Sequence, residues 1–134
     1  MTKTHLLACL ACLTACGRTG DETPEAAYRA FAAAANKGED AVAFARLTTA
    51  SQQALRDRLA GLSAASGGSL REDAASLVFR GGRGAPITAV QLLKKERDRA
   101  TLAVSTREQT QELTLRREGS EWRVELVLVQ PASP

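Results

Sequence analysis

The sequence of residues 113–126, LTLRREGSEWRVEL, decides the fold of the C-terminal half of the chain. Apolar and polar residues alternate on both sides of Gly119-Ser120, which is the pattern of two half-buried antiparallel strands. A two-residue loop with glycine first suits a type II′ turn, and it pairs Leu115 with Val124. Trp122 then lies on the same apolar face as Val124. A shift of one residue would place Leu115 opposite an arginine, so the pattern predicts a single register.

The same alternation begins after Pro86 and predicts a series of short strands. We predict four of them, at about residues 87–94, 99–106, 109–117 and 121–129. A loop at Arg107-Glu108 would place Leu102 beside Leu113, so three strands would share one apolar face. The first strand leaves two alternatives open, since its inward-facing residues are either Val90 and Leu92 or Ile87, Ala89 and Leu93.

The chain before residue 80 has apolar residues at helical spacing instead. Thr23 as N-cap, Pro24 at the first position and Gly38 after Lys37 predict a first helix over residues 24–37. A second helix is predicted at about residues 40–47, with Val42, Phe44 and Leu47 as its apolar residues. A third helix is predicted from about residue 50 to residues 66–68, and a fourth from a capping box at residues 69–72.

Helices followed by a strand meander predict an α+β fold. We expect the N-terminal helices to pack on one face of a curved antiparallel sheet of three or four strands. Residues 23–130 would form one domain, and residues 131–134 a frayed tail.

The first sixteen residues have the layout of a secretory signal. Lys3 precedes an apolar run, and Leu13-Thr14-Ala15-Cys16 places a cysteine directly after a small residue. Cys9 and Cys12 lack an apolar run before them. The run is shorter than the roughly 20 residues that span a bilayer. The alternative interpretation is an ordinary signal peptide that is cleaved near a cysteine by coincidence.

The stretch ending at Cys16 resembles the lipobox of bacterial lipoproteins. The resemblance implies a signal peptide over residues 1–15, cleavage between Ala15 and Cys16, and a diacylglyceryl group on the Cys16 sulfur. In many such proteins an acyl chain such as palmitate is added to the amine. Residues 16–22 would be the lipidated cysteine and a flexible tether. Because Gly17 rather than aspartate follows the cysteine, the periplasmic face of the outer membrane is favoured in a diderm bacterium.

Composition excludes several classes of function. Removal of 15 of the 134 residues would leave 119, without His5, Cys9 and Cys12. The remaining chain could form neither an intramolecular disulfide, nor a Cys/His zinc site, nor a histidine-based triad. The complete chain has 18 basic and 15 acidic residues that are interleaved, which argues against a nucleic-acid interface. We expect no cofactor and no metal.

Several stretches together are similar to the small bacterial lipoproteins of the nuclear transport factor 2-like (cystatin-like cone) superfamily. These stretches are the lipobox, the helix start at residues 23–27, the aromatic residue followed by alanines, and residues 37–40, 99–104 and 119–124. The resemblance implies a cone-shaped domain with a cavity between the sheet and the helices. Members of this superfamily include isomerases, dehydratases and pure binding modules, so the resemblance does not select a function.

Candidate site residues are few. The residues that could line such a cavity are Tyr28, Phe31, Phe44 and Trp122, and ordinary core packing is the alternative for each. Arg80 and Arg83, in the sequence RGGRG, could contact an anion, although a flexible connection explains this stretch as well. We assign no catalytic residue, since most acidic residues lie in turns or first turns of helices and Tyr28 has no evident partner.

The sequence therefore favours a lipid-anchored, non-catalytic domain of the cell envelope that binds a small apolar ligand or an envelope protein. One alternative is an isomerase- or hydrolase-like enzyme that uses a buried carboxylate. Another is a structural spacer, which would need no cavity.

Overall fold

The computed structural model describes residues 22–79 and 84–128. The predictions for Ala15, Cys16, Arg80, Arg83 and the C-terminal tail lie outside these residues. The described chain has an α+β architecture, with four helices and one antiparallel sheet of strand order β1-β2-β3-β4. The elements are α1 (Pro24–Lys37), α2 (Asp40–Ala45), α3 (Thr49–Ala65), α4 (Ala74–Phe79), β1 (Ala89–Lys95), β2 (Arg99–Ser105), β3 (Thr110–Glu118) and β4 (Glu121–Glu125). The predicted fold class is confirmed.

The β3–β4 hairpin has the predicted register. Leu115 pairs with Val124, and the loop residue Gly119 has a φ of 64°. Ser120 has no positive φ, so the two loop residues fit a type II′ turn. Leu102 pairs with Leu113, also as predicted.

Strand β1 has Val90 and Leu92 as its inward-facing residues, one of the two alternatives that the sequence left open, while Ile87 of the other set lies before the strand and also packs against the core. Val90 and Leu92 pair with Val104 and Leu102 and pack against the core. The register shifts after Leu92, and Leu93 at this bulge is 47% exposed. Leu93 therefore lies on the outward face of the strand, next to the inward-facing Leu92.

Helix α1 begins and ends where its sequence signals predict. The Thr23 side chain accepts a hydrogen bond from the backbone N–H of Ala26 at 3.2 Å, and Pro24 occupies the first helical position. At the other end Gly38 has a φ of 76°, a left-handed conformation that a residue without a Cβ adopts at no steric cost.

Helix α2 is shorter than predicted, because the chain leaves it to cover the edge of the sheet. The backbone N–H of Thr48 donates to the Val124 carbonyl at 2.9 Å, and the Val124 N–H donates to the Arg46 carbonyl at 2.9 Å. Leu47 thereby forms a parallel bridge with Val124 and is fully buried. The expected burial of Val42 is wrong, since this side chain is 50% exposed and its neighbour Ala43 faces the core instead.

The predicted capping box at residues 69–72 is wrong. Gly67 and Gly68 both have positive φ and end α3, and the chain from Ser69 to Asp73 is not helical. The Ser69 hydroxyl donates to the Ser66 carbonyl at 2.8 Å. The Asp73 carboxylate instead accepts a hydrogen bond from the Ser76 N–H at 2.7 Å, at the start of α4. Hydrogen bonding to Ser76 lowers the pKa of Asp73.

One apolar core lies between the helices and the inner face of the sheet. Its buried residues are Ala27, Leu47, Leu55, Ala74, Ala100, Leu102, Val104, Leu115, Trp122 and Val124. Helix α1 contacts β1, β2 and β4 across this core. In the part of the chain that the structure describes, no helix is both long and apolar enough to cross a bilayer.

Candidate functional site

The candidate site is a cavity of about 440 Å³ between α1, the end of α4 and the inner face of the sheet. This volume lies within the range of small-molecule sites in proteins. One wall is a stripe of α1 residues spaced by three and four positions, which places them on a single helix face. These residues are Tyr28, Phe31, Ala32, Ala35 and Asn36. The alanines in the stripe leave open the space that larger side chains would fill.

Three aromatic rings form a continuous part of the cavity wall. The ring centroids of Tyr28 and Phe31 are 5.9 Å apart, and those of Phe31 and Phe79 are 6.0 Å apart. Both pairs are tilted, a favourable arrangement for aromatic rings. Ile87 and Val104 line the cavity as well. Burial raises the pKa of the Tyr28 hydroxyl, because the charged phenolate loses solvation there.

Polar side chains also line the cavity, and those of Glu108, Gln109 and Gln111 are exposed to solvent. Asn36 comes from the last turn of α1, Glu108 and Gln109 from the β2–β3 loop, and Gln111 from β3. The loop is held in place by Thr106, whose hydroxyl accepts hydrogen bonds from the N–H groups of Glu108 and Gln109, each at 3.3 Å. The carboxamides of Asn36, Gln109 and Gln111 have no hydrogen-bond partner among the described residues. They can therefore donate to a ligand and accept from it.

The structure brings together only two of the four aromatic residues that the sequence suggested as lining. Tyr28 and Phe31 line the cavity. Phe44 lies in a second cleft of about 620 Å³ between α2, α3 and α4, where the Arg56 guanidinium is 5.3 Å from its ring centroid. Trp122 is 3% exposed and belongs mainly to the core, with the Lys95 ammonium 6.0 Å from its ring. The prediction that all four aromatic residues line a single pocket is therefore wrong.

Sequence reasoning missed most of the remaining lining. Phe79 is the last residue of a six-residue helix, and nothing local in the sequence indicates that it meets α1. Asn36 could have been found, because it continues the α1 stripe one turn beyond Ala32. Gln111 could also have been found, since the predicted pairing with Val104 places it on the apolar face of the sheet.

The described lining residues include few groups that could act in acid–base catalysis. Glu108 is the one carboxylate among the described lining residues, and its side chain is exposed at the rim. Another acid, Glu72, lies in the second cleft, where its Oε2 atom is inaccessible to solvent. Among residues 22–79 and 84–128, no group of three or more His, Cys, Asp or Glu side chains could hold a metal ion.

Comparison with known proteins adds no relative: no protein-family model, curated protein or solved structure is significantly similar to this chain.

Proposed function

We propose that this chain is a lipid-anchored, non-catalytic binding protein of the bacterial cell envelope. In this proposal the chain is cleaved before Cys16, acylated on the Cys16 sulfur and held at the membrane by residues 16–22. The domain that follows has a nuclear transport factor 2-like architecture and binds a small, largely apolar ligand. The periplasmic face of the outer membrane is its proposed location.

The observation that carries the binding proposal is the cavity beneath α1. Three aromatic rings and several aliphatic side chains surround it, while the nearest acid, Glu108, is at the solvent-exposed rim. Removal of apolar ligand surface from water contributes roughly 25 cal/mol per Å², so an apolar molecule would gain affinity here. A spacer that only separated the membrane from another complex would have no need for such a space.

Native mass spectrometry of the complete protein purified from envelopes tests this proposal. We expect a mass increase from the covalent acyl groups and a second, non-covalent mass that is lost on mild activation. A protein with its acyl groups and no retained mass, under conditions that preserve other lipid complexes, would argue for the spacer function instead.

The anchor has its own test, since three cysteines compete for acylation. Labelled palmitate should join the wild-type chain and a Cys12→Ser variant equally, and should not join a Cys16→Ser variant. Cys12→Ser is a matched control, because it alters the same apolar segment by the same substitution. Equal labelling of the Cys16→Ser variant would contradict the proposed anchor.

A second candidate function, an enzyme with a buried carboxylate, rests on Glu72. Its Oε2 atom is inaccessible to solvent in a cleft that also contains Phe44 and Arg56. Burial next to apolar groups is one way in which proteins prepare a carboxylate for acid–base catalysis. If an activity is found, a Glu72→Gln variant should lose at least about 100-fold in rate, as general acid–base groups do. An unchanged rate would exclude this role.

A further inference from the structure

We infer that helix α2 is the side of the domain that contacts the lipid bilayer, through an apolar surface, the α2 surface, formed by Ala41, Val42 and Ala45. This inference rests on the proposed anchor at Cys16 and specifies how the anchored domain is oriented on the membrane.

The α2 surface is apolar and open to solvent. Its three residues lie on one side of α2, away from the buried Ala43. Val42 is 50% exposed, and Ala41 and Ala45 are exposed as well. The outer side of a helix that faces only water is usually polar. The apolar outer side of α2 therefore favours contact with an apolar partner.

The chain that leads from the proposed anchor reaches the domain beside this surface. Glu22 lines the same cleft, of about 480 Å³, as Ala41, Val42 and Ala45. The Oε1 atom of Glu22 is 3.2 Å from Nη1 of Arg46, the residue that follows α2. This ion pair holds the start of the domain against the end of α2.

The length of the tether keeps this cleft close to the membrane. Five residues, 17–21, separate Cys16 from Glu22. Such a stretch reaches at most about 20 Å when it is fully extended, which is less than the width of a domain of about 100 residues. The large apolar side chains that are exposed elsewhere in the described chain do not line this cleft. They are Leu62, Leu93 and Val127.

Tethering makes a weak contact sufficient. Apolar side chains that enter the bilayer interface gain free energy in proportion to the area they remove from water. Three small side chains gain too little to recruit a free protein to a membrane. Because the anchor already holds the domain there, the contact forms at a high effective concentration and can orient the domain.

The charges beside the α2 surface are balanced and paired. The cleft contains two acids and two arginines, with Arg46 paired to Glu22 at 3.2 Å and Arg123 paired to Glu121 at 3.3 Å. The tether sequence, residues 17–21, adds one arginine and one aspartate. We therefore expect the contact to depend on apolar side chains and to need no anionic lipid.

Quenching of a fluorophore by nitroxide-labelled lipid tests this orientation. After cleavage and acylation the chain has no free thiol, so a Val42→Cys variant can be labelled at one position. Leu62→Cys is the matched control, because Leu62 is 43% exposed and lies on α3, outside the cleft. In phosphatidylcholine vesicles that carry the acylated protein, we expect quenching at residue 42 to be at least about twofold stronger than at residue 62.

A second pair of variants separates contact from mere proximity. With the fluorophore at an Ala45→Cys position, adding Val42→Glu should remove at least about half of the quenching, since a charged side chain resists entry into the apolar interface. Adding Leu62→Glu, which introduces the same charge outside the cleft, should leave the quenching unchanged.

Three results would overturn the orientation while leaving the anchor in place, in a protein that incorporates labelled palmitate. The first is equal quenching at residues 42 and 62. The second is quenching at residue 42 only when phosphatidylglycerol is added, which would assign the contact to lipid charge. The third is a blue-shifted emission at residue 42 without quenching by lipid, which would assign the α2 surface to a second copy of the chain. If Cys16 incorporates no palmitate, the proposed anchor fails and the inference fails with it.

Discussion

Two glycines, Gly38 and Gly61, contribute to stability in opposite directions. Gly38 ends α1 with a φ of 76°, whereas Gly61 lies inside α3 and is exposed. A Cβ added at either position would meet no atom within 4 Å, so side-chain collisions do not complicate the comparison. Only the backbone conformation differs.

We therefore expect Gly38→Ala to lower the free energy of unfolding by about 1 kcal/mol, because alanine is strained in the left-handed region. Gly61→Ala should raise it by roughly 0.5–1 kcal/mol, through better helix propensity. Urea unfolding followed by the fluorescence of Trp122, the one tryptophan, measures both. Equal effects of the two substitutions would contradict the assigned conformations.

Tyr28 reports on the cavity through its titration. It is the one tyrosine of the chain, so a spectrophotometric titration of phenolate observes this residue alone. Burial raises its pKa above the ordinary value of 10.0. The folded state thus favours the neutral phenol; this contribution to stability is complete below pH 10 and is lost as pH rises through the raised pKa.

The expected midpoint is therefore above 10, and a ligand that covers the ring should raise it further. A midpoint at or below 10 in the folded protein would mean that the ring is solvated, which would contradict its place in the cavity wall.

At the scale of single residues, local signals predicted what depends on local geometry. The N-cap Thr23 and the C-terminal Gly38 bounded α1 correctly, because caps satisfy backbone groups within a few residues. The exposure of Val42 was not predictable in this way. Which side of a two-turn helix faces the core depends on how the following residues attach to the sheet.

At the scale of elements, the N-cap of α4 differs between prediction and structure. The predicted cap was Ser69, and the observed cap is Asp73, which accepts the Ser76 N–H at 2.7 Å. Gly67 and Gly68 both adopt positive φ where α3 ends, and the chain from Ser69 to Asp73 is not helical.

Asp73→Ala should accordingly lower the urea midpoint, whereas Ser69→Ala should leave it nearly unchanged. The hydrogen bond to Ser76 lowers the pKa of Asp73, so its contribution to stability is complete above its usual pKa near 3.8 and is lost as pH falls through the lowered value. The difference between wild type and Asp73→Ala should therefore shrink in strong acid. A larger effect of Ser69→Ala than of Asp73→Ala would contradict the observed helix start.

The registers of the strands were predicted more accurately than the short helices for a physical reason, although β4 ends at Glu125 and not near residue 129. Alternation along β3 and β4 allows only one register that keeps Leu115, Trp122 and Val124 on one face. Helix α2 lacks such a constraint. Its end depends on the backbone hydrogen bonds that Arg46 and Thr48 make with Val124, which is distant in sequence and leaves no local signal.

At the scale of the whole molecule, one buried serine joins the helices to the sheet. The Ser51 hydroxyl accepts hydrogen bonds from the Thr48 hydroxyl at 2.7 Å and from the backbone N–H of Leu126 at 2.9 Å. Thr48 in turn caps α3 by accepting from the Ser51 N–H at 3.1 Å. The start of α3 is thus tied to the chain after β4, and this tie also fixes the segment that covers the edge of β4.

The cavity is likewise a property of the whole molecule. The sequence indicated one of its walls, because Tyr28 and Phe31 share a helix face. The ring of Phe79 and the carboxamide of Gln111 come from α4 and β3, and only the complete fold places them opposite α1. The expectation that Phe44 and Trp122 would join the same pocket failed because aromatic residues also fill cores.

The central claim is that a ligand occupies this cavity, and a pair of neighbouring alanines tests it most directly. Ala32 lines the cavity and Ala33 is exposed on the same helix, so Ala32→Phe fills the space while Ala33→Phe changes the helix propensity by the same amount. Native mass spectrometry of the complete lipoprotein should show a retained non-covalent mass in wild type and in Ala33→Phe, and should not show it in a folded Ala32→Phe variant. Equal retention by both variants would contradict the claim that the ligand binds beneath α1.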